Sequence, residues 1–264
     1  VSRRLVKLYP RARQHGREAA LHRGYDAFYE IVRNLTTALK KESSPGVPLM
    51  CLAPRNDRLL ELAPDLVIGA ATERILRLAS CNPDDLFNMT AEELVDQGYC
   101  DPVRFMIKQE PHDEKKVAER RFRLISSISV IDQLVERYYA SQQNMAEIES
   151  WEDCPSCPGI GFDDETNKRF FERLRARLEA GQLAEADVRS YDWVTQYWVL
   201  RECAWMRIRL AGLSETSMFA RLVYARTICA TMAVFSFSDG TLLAQRIRGM
   251  MQSGRYVTSS DNSR

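Results

Sequence analysis

No sign of charge dominates this chain. Its 37 Lys and Arg stand against 36 Asp and Glu for a formal net charge of +1, so global charge argues neither for nor against a nucleic-acid partner. A long apolar run is also missing: no uncharged stretch is longer than Thr227 to Ser238, too short for a bilayer, which takes about 18–20 apolar residues. Histidine is scarce, at 3 residues, and the seven cysteines (51, 81, 100, 154, 157, 203, 229) show no repeating spacing. Cys154-Pro-Ser-Cys157 has neither a second pair nor a nearby histidine, which favours a structural reading over a zinc or redox one. With no secretory leader ahead of them, these thiols are expected to be reduced in a cytosolic compartment. Internal repeats and low-complexity tracts are absent as well.

What is present suits an ordinary folded protein, with 45% hydrophobic and 28% charged residues in 264, enough for one or two domains. Residues 1–23 carry seven Arg and Lys against Glu18 alone, a run that reads first as a solvated face. Tyr25, Phe28, Ile31, Leu35 and Leu39 recur at helical spacing, so 18–41 is predicted as an amphipathic helix broken by Ser43–Pro48. Further helices are predicted at 65–79, 91–97 (with a Thr90/Glu93 capping box and a stop at Gly98), 128–144, 164–180, 194–211 and 214–232. Strands are predicted at 103–107, 122–126 and 184–188, and a hairpin at 235–245 turning on Asp239-Gly240. Pro155, Pro158, Gly159 and Gly161 mark a loop. The chain begins at Val1 and ends on Arg264 inside a predicted helix, so both ends are expected to be cuts in a longer product.

Four short patterns carry chemistry. Asp187 closes the apolar stretch 184–188, and Asp192 follows five residues on. A carboxylate at a strand's mouth suits a magnesium ion that also binds phosphates, although alone the pair reads as a helix cap and a solvated charge. Ser253-Gly254 opens a turn into a helix with Thr258 and Asn262 four apart on one face. An Asn amide both donates and accepts, as a ribose 2′-hydroxyl requires, whereas the bland reading is a turn capping a helix. Lys108, Arg121 and Arg123 would clamp a triphosphate if they converged; otherwise they are surface charges paired with Glu110 and Glu119. Ser44, Gly46 and Pro48 fit a helix-ending turn.

Order gives these pieces their weight. Ser-x-Gly-x-Pro, then Lys-x-Glu with Arg-x-Arg-Leu-Ile, then Asp-x4-Asp, then Ser-Gly-x3-Thr-x3-Asn resembles the G, F, A and B motif series of viral RNA-directed RNA polymerases. The longer stretches Asp101–His112, Arg123–Arg137 and Pro155–Gly161 resemble the polymerases of sobemoviruses, poleroviruses and their sobemo-like relatives, and the resemblance spans roughly residues 40–264.

The resemblance implies an α+β right-hand fold, mostly helical with short strands. Residues 1–182 would form fingers, 183–210 a palm segment, 211–252 an insertion with a hairpin, and 253–264 the start of the second palm helix. It implies Asp187 as catalytic metal ligand, with two Mg2+ (or Mn2+) in the complete enzyme, and Asp192 with Asn262 as ribose readers. Ser253, Gly254 and Thr258 would position template and sugar, Lys108, Arg121 and Arg123 would hold the triphosphate, and Ser44, Gly46 and Pro48 would guide the template strand. Partners would be template and nascent RNA, nucleoside triphosphates and the remaining polymerase segment, in the host cytoplasm or at its membrane-associated replication sites. Two departures stand out. The sequence has no Gly-Asp-Asp, so these 264 residues alone are expected to be inactive, and Arg189-Ser190 stands where Ser-Gly is expected. A non-catalytic RNA-binding or split-polymerase subunit is the alternative. A reverse transcriptase is a further one, opposed by Asn262, since use of deoxynucleotides calls for a steric block near the sugar.

Overall fold

Helical spacing of apolar residues builds the core, in which four helices pack: Tyr25–Thr36, Pro64–Ser80, Val130–Glu149 and Met218–Ala230. The computed structural model describes residues 1–157, 161 and 163–263. Phe28 and Tyr138 meet edge to face at 5.1 Å between ring centroids, and Val67, Ala71, Ile75 and Leu78 bury one face of the second helix. Pro64 opens that helix, where its missing N–H is no loss. Ser129 caps Val130–Glu149 and Ser217 caps Met218–Ala230, each hydroxyl accepting from a backbone N–H of the first turn. The predicted capping box is present: the Glu93 N–H donates to Thr90 Oγ1 (3.2 Å), the Thr90 N–H donates to Glu93 Oε2 (2.8 Å), and Gly98 follows at φ 73°.

Beside these helices stands a four-stranded mixed sheet in the order β2-β1-β3-β4, with an apolar cluster of its own. The strands are β1 (Val103–Ile107), β2 (Leu124–Ser127), β3 (Val234–Ser236) and β4 (Leu242–Ala244). β1 runs antiparallel to β2, with Phe105 opposite Ser126, and parallel to β3, with Val103 opposite Phe235. β3 and β4 form the predicted hairpin. Period-two alternation sends Val103 and Phe105 to one face, where the Phe105 and Phe235 rings stack at 4.4 Å in a cluster with Ile128 and Ala233. The protein is thus a helix-rich α+β fold with a small mixed sheet.

Three predicted elements differ. The helix at 18–41 is two, His15–Leu21 and Tyr25–Thr36, because Gly24 at φ 83° turns the chain between them. The strand at 122–126 begins only at Leu124. Arg120, in the left-handed region at φ 52°, reverses the chain just before it, so Arg121 and Arg123 precede the pleat. The strand at 184–188 is not formed. Residues 182–189 are exposed and without regular structure, and none of the four strands lies beside them to pair their N–H and C=O groups. Of the loop markers, Pro158 and Gly159 lie outside the described residues, as does Arg264.

Candidate functional site

The β1–β2 ladder sets the first side of a cleft. The Lys108 N–H donates to the Arg123 carbonyl (2.8 Å), adding a rung beyond the strand ends and bringing the two cations together. Between them sits Glu110, with Lys108 Nζ 2.5 Å from one oxygen and Arg123 Nη1 3.7 Å from the other. The Lys108 ammonium beside it holds the Glu110 carboxyl below the usual range. Arg121 pairs instead with Glu119 on the surface, away from the cleft.

The second side comes from the short helix Tyr191–Val194. Ser190 opens it in the left-handed conformation (φ 57°, ψ 39°), the backbone that glycine adopts most easily and that stands where the resemblance expects glycine. The Met251 N–H donates to the Asp192 carbonyl (2.8 Å) and the Met250 N–H to the Thr195 carbonyl (2.7 Å), which ties this helix to the chain entering Ser253. Burial pushes the Asp192 carboxyl up, against the opposing pull of the Arg123 guanidinium.

The floor is the turn at 252–258. Ser253 Oγ accepts from the Ser126 N–H (3.3 Å) and bonds the Ser126 hydroxyl (3.0 Å). A Cβ on Gly254 would lie 1.9 Å from the Ser126 carbonyl oxygen, so only glycine lets the turn approach β2 this closely. Thr258 Oγ1 closes the turn on the Gln252 carbonyl (2.8 Å).

The cleft measures about 470 Å3 and gathers Lys108, Arg123, Asp192 and Ser253 from three of the four sequence patterns. Phe122, Tyr191 and Trp193 add aromatic lining, which the sequence reading missed. Trp193 is 56% exposed and leans on Phe105 at 5.9 Å, and its signal was its place directly after Asp192. Asp187 does not line the cleft, and Asn262 projects exposed from the helix Thr258–Asn262. Ser44, Gly46 and Pro48 lie in a turn fastened to the start of Val130–Glu149. The Val130 N–H donates to the Pro45 carbonyl (2.8 Å), and a Cβ on Gly46 would meet Ser129 Cα at 2.8 Å.

Behind the cleft runs a buried charge network that the sequence reading also missed. Arg74 grips Asp101 with two bonds (2.6 and 2.9 Å) and reaches Asp132 (3.1 Å). Arg226 joins Asp132 and Glu136 at 3.1 Å each, and Arg255 Nε donates to Glu136 at 2.8 Å. Arg207 holds Asp261 (2.7 Å) and Asn144 (2.9 Å). Its available signal was the pair Asp132 and Glu136, four apart on the helix face of Val135 and Tyr139, where buried acids demand buried cations.

Among the described residues no three His, Cys, Asp or Glu side chains gather as a metal site, so these residues by themselves do not fit a resident metal pair. Cys154 packs with Val6, Tyr9, Met206 and Leu210 in a small apolar cluster. No helix among the described residues is long and apolar enough to cross a membrane.

A family model described as viral RNA-directed RNA-polymerase matches residues 5–264. The replicase polyprotein P2AB of Southern bean mosaic virus is 43% identical over 243 residues, covering 91% of this chain and 25% of that protein. The RNA-directed RNA polymerase of mushroom bacilliform virus is 36% identical over 223 residues, 84% of this chain and 53% of that one. Protein P1-P2 of potato leafroll virus is 34% identical over 256 residues, 90% of this chain and 23% of that one. The chain therefore spans about a quarter to a half of the length of these relatives. Polymerases of this family use divalent metal in general, and sobemovirus and polerovirus proteins stand among the relatives. With a match from residue 5 to residue 264, the chain belongs to the viral RNA-directed RNA polymerase family.

Proposed function

We propose that this chain is the nucleotide-receiving part of an RNA-directed RNA polymerase of a positive-strand RNA virus. The complete enzyme would join nucleoside triphosphates to an RNA 3′ end on an RNA template and release pyrophosphate, in the host cytoplasm. The observation that carries this reading is the cleft in which Lys108, Arg123, Asp192 and Ser253 meet. Phosphoryl transfer asks the protein for positioning and charge rather than covalent chemistry, and these side chains offer both.

Lys108 and Arg123 present an ammonium and a guanidinium to one volume, suited to phosphate oxygens, with Glu110 holding their place until an anion arrives. Asp192 offers an acceptor for a ribose hydroxyl, Ser253 a hydroxyl at the cleft floor, and Asn262 is assigned the 2′-hydroxyl. Arg121, Ser44, Gly46, Pro48, Gly254 and Thr258 keep their triphosphate and template assignments within this reading. In this right-hand frame 1–182 are fingers, 183–210 palm, 211–252 the insertion and 253–264 the second palm helix. Asp187 is assigned as a metal ligand by resemblance. A bound divalent ion would neutralise developing phosphate charge.

The test is Arg123→Ala in the complete polymerase. Loss of a charge-assisted bond of about 1.5–3 kcal/mol raises the NTP KM by roughly ten- to a hundredfold. An unchanged KM in a folded variant removes the clamp. Single-stranded RNA bound by this groove weakens as salt rises, and a flat affinity from low to high salt counts against the reading.

A further inference from the structure

Glu136 lies on the helix Val130–Glu149 and is wholly buried, outside the cleft. Its carboxylate nonetheless holds the turn that carries Ser253. Oε1 accepts from Arg255 Nε (2.8 Å) and Arg226 Nε (3.1 Å), while Oε2 accepts from the Tyr256 backbone N–H (2.9 Å). Arg255 is 5% exposed, an inward-pointing guanidinium immediately after Gly254. Arg137, the neighbour of Glu136, covers the Tyr256 ring at 4.4 Å. The turn is thus held at two ends. Its first half rests on β2 through Ser253 and Ser126, and its second half hangs on Glu136.

We propose that Glu136 is a positioning residue, acting through Arg255 and the Tyr256 N–H to set Ser253 at the cleft floor. This rests on the polymerase reading above, and the three bonds explain why a carboxylate is needed. One oxygen serves two guanidinium groups and the other a backbone N–H, and an amide has only one oxygen to offer. Burial raises the Glu136 carboxyl, but the Arg255 and Arg226 charges outweigh it and hold the group below the ordinary carboxylate range, so it stays ionised at neutral pH.

The experiment is primer extension by the complete polymerase carrying Glu136→Gln, with Arg74→Lys as a control that loosens the buried network at Asp101 and Asp132, makes no contact with Glu136 and leaves both Arg226 and Arg255 on it. Displacing a positioned group by about 1 Å lowers turnover by up to roughly a hundredfold, so Glu136→Gln loses ten- to a hundredfold in kcat while Arg74→Lys keeps wild-type kcat and KM. If Glu136→Gln does not fold, Arg255→Lys takes its place with the same expectation, since it keeps the charge but loses the Nε–H. The double variant Glu136→Gln with Ser253→Ala is no slower than the slower single variant, because both act on one turn. Wild-type kcat in the folded Glu136 or Arg255 variant, an equal loss in Arg74→Lys, or losses that multiply in the double variant overturn the proposal. A wild-type complete enzyme that extends no primer takes down the polymerase reading and this inference with it, whereas extension by wild type with an unaltered Glu136→Gln removes this inference alone.

Discussion

Glu136 is wholly buried and accepts three hydrogen bonds, whereas Asp187 sits exposed on a stretch with no regular structure. The turn at 252–258 behind the first is fastened to β2, to the helix Val130–Glu149 and, through Gln252 Nε2, to the Ala230 carbonyl (2.8 Å). The stretch 182–190 is tied at its ends to its own neighbouring helices, through the Gln182 N–H to the Arg177 carbonyl and the Ser190 carbonyl to Trp193 and Val194, and to the distant chain just past its end, where Met250 and Met251 donate to Thr195 and Asp192. Two patterns that the resemblance assigns to one centre are therefore held by different means. The turn's geometry is made by contacts inside this chain, and the acid-bearing stretch has no partner strand among the described residues to make its own.

That contrast can be broken first from the buried side. Arg226 is 2% exposed and bridges Asp132 and Glu136, so Arg226→Ala leaves two acids in the core short of a counter-charge. Breaking a buried pair in this way costs about 3–5 kcal/mol, to be read as a lowered midpoint in urea unfolding. A loss below about 1 kcal/mol would mean that the network does not hold the core as the distances suggest. Asp187→Asn, by contrast, leaves the midpoint unchanged.

A smaller effect is expected at the turn itself. Gly254→Ala drives a methyl into the Ser126 carbonyl, a backbone atom that cannot swing aside, and the turn must lift from β2. Overpacking of this kind costs about 1–3 kcal/mol. The displaced Ser253 hydroxyl also gives up its bonds to Ser126, so the Ser126 amide should exchange with solvent faster. Unchanged exchange at Ser126 would show that the turn accommodates the methyl some other way.

Much of the frame was legible because it rests on local rules. Helical spacing found Pro64–Ser80, a short apolar run found β1, Asp239-Gly240 found the hairpin, and Thr90/Glu93 found the capping box. The resemblance assigned Lys108, Arg123, Asp192 and Ser253 to one site together with Asp187, Arg121 and Asn262, yet only the first four line the cleft, and no local pattern says that residues 108 and 253 are neighbours. The charge network was not foreseen. Arg74, Arg226 and Arg255 look in sequence like any surface arginine, and only long-range packing makes each the partner of a buried acid. The strand at 184–188 failed for the converse reason: a short apolar stretch describes a segment's own residues, while a strand exists only with a neighbour to pair with.

The smallest expected effect sharpens the comparison from the exposed side. Ser190 holds φ 57° at the head of Tyr191–Val194, a conformation that brings a side-chain Cβ against its own backbone at about 1–2 kcal/mol. Glycine removes that clash, yet its freer unfolded chain gives back about 0.5–1 kcal/mol. Ser190→Gly should therefore raise stability by about 0.5–1 kcal/mol, visible as a small upward shift in the unfolding midpoint with unchanged denaturant slope. Because Ser190 lines the cleft beside Asp192, the same variant reports on function. If the turn is already held in its working shape, NTP KM in the complete enzyme stays at the wild-type value while stability rises. A destabilised Ser190→Gly would mean that the left-handed turn is not the shape this segment keeps in solution, and that Asp192 reaches its place in the cleft by another path.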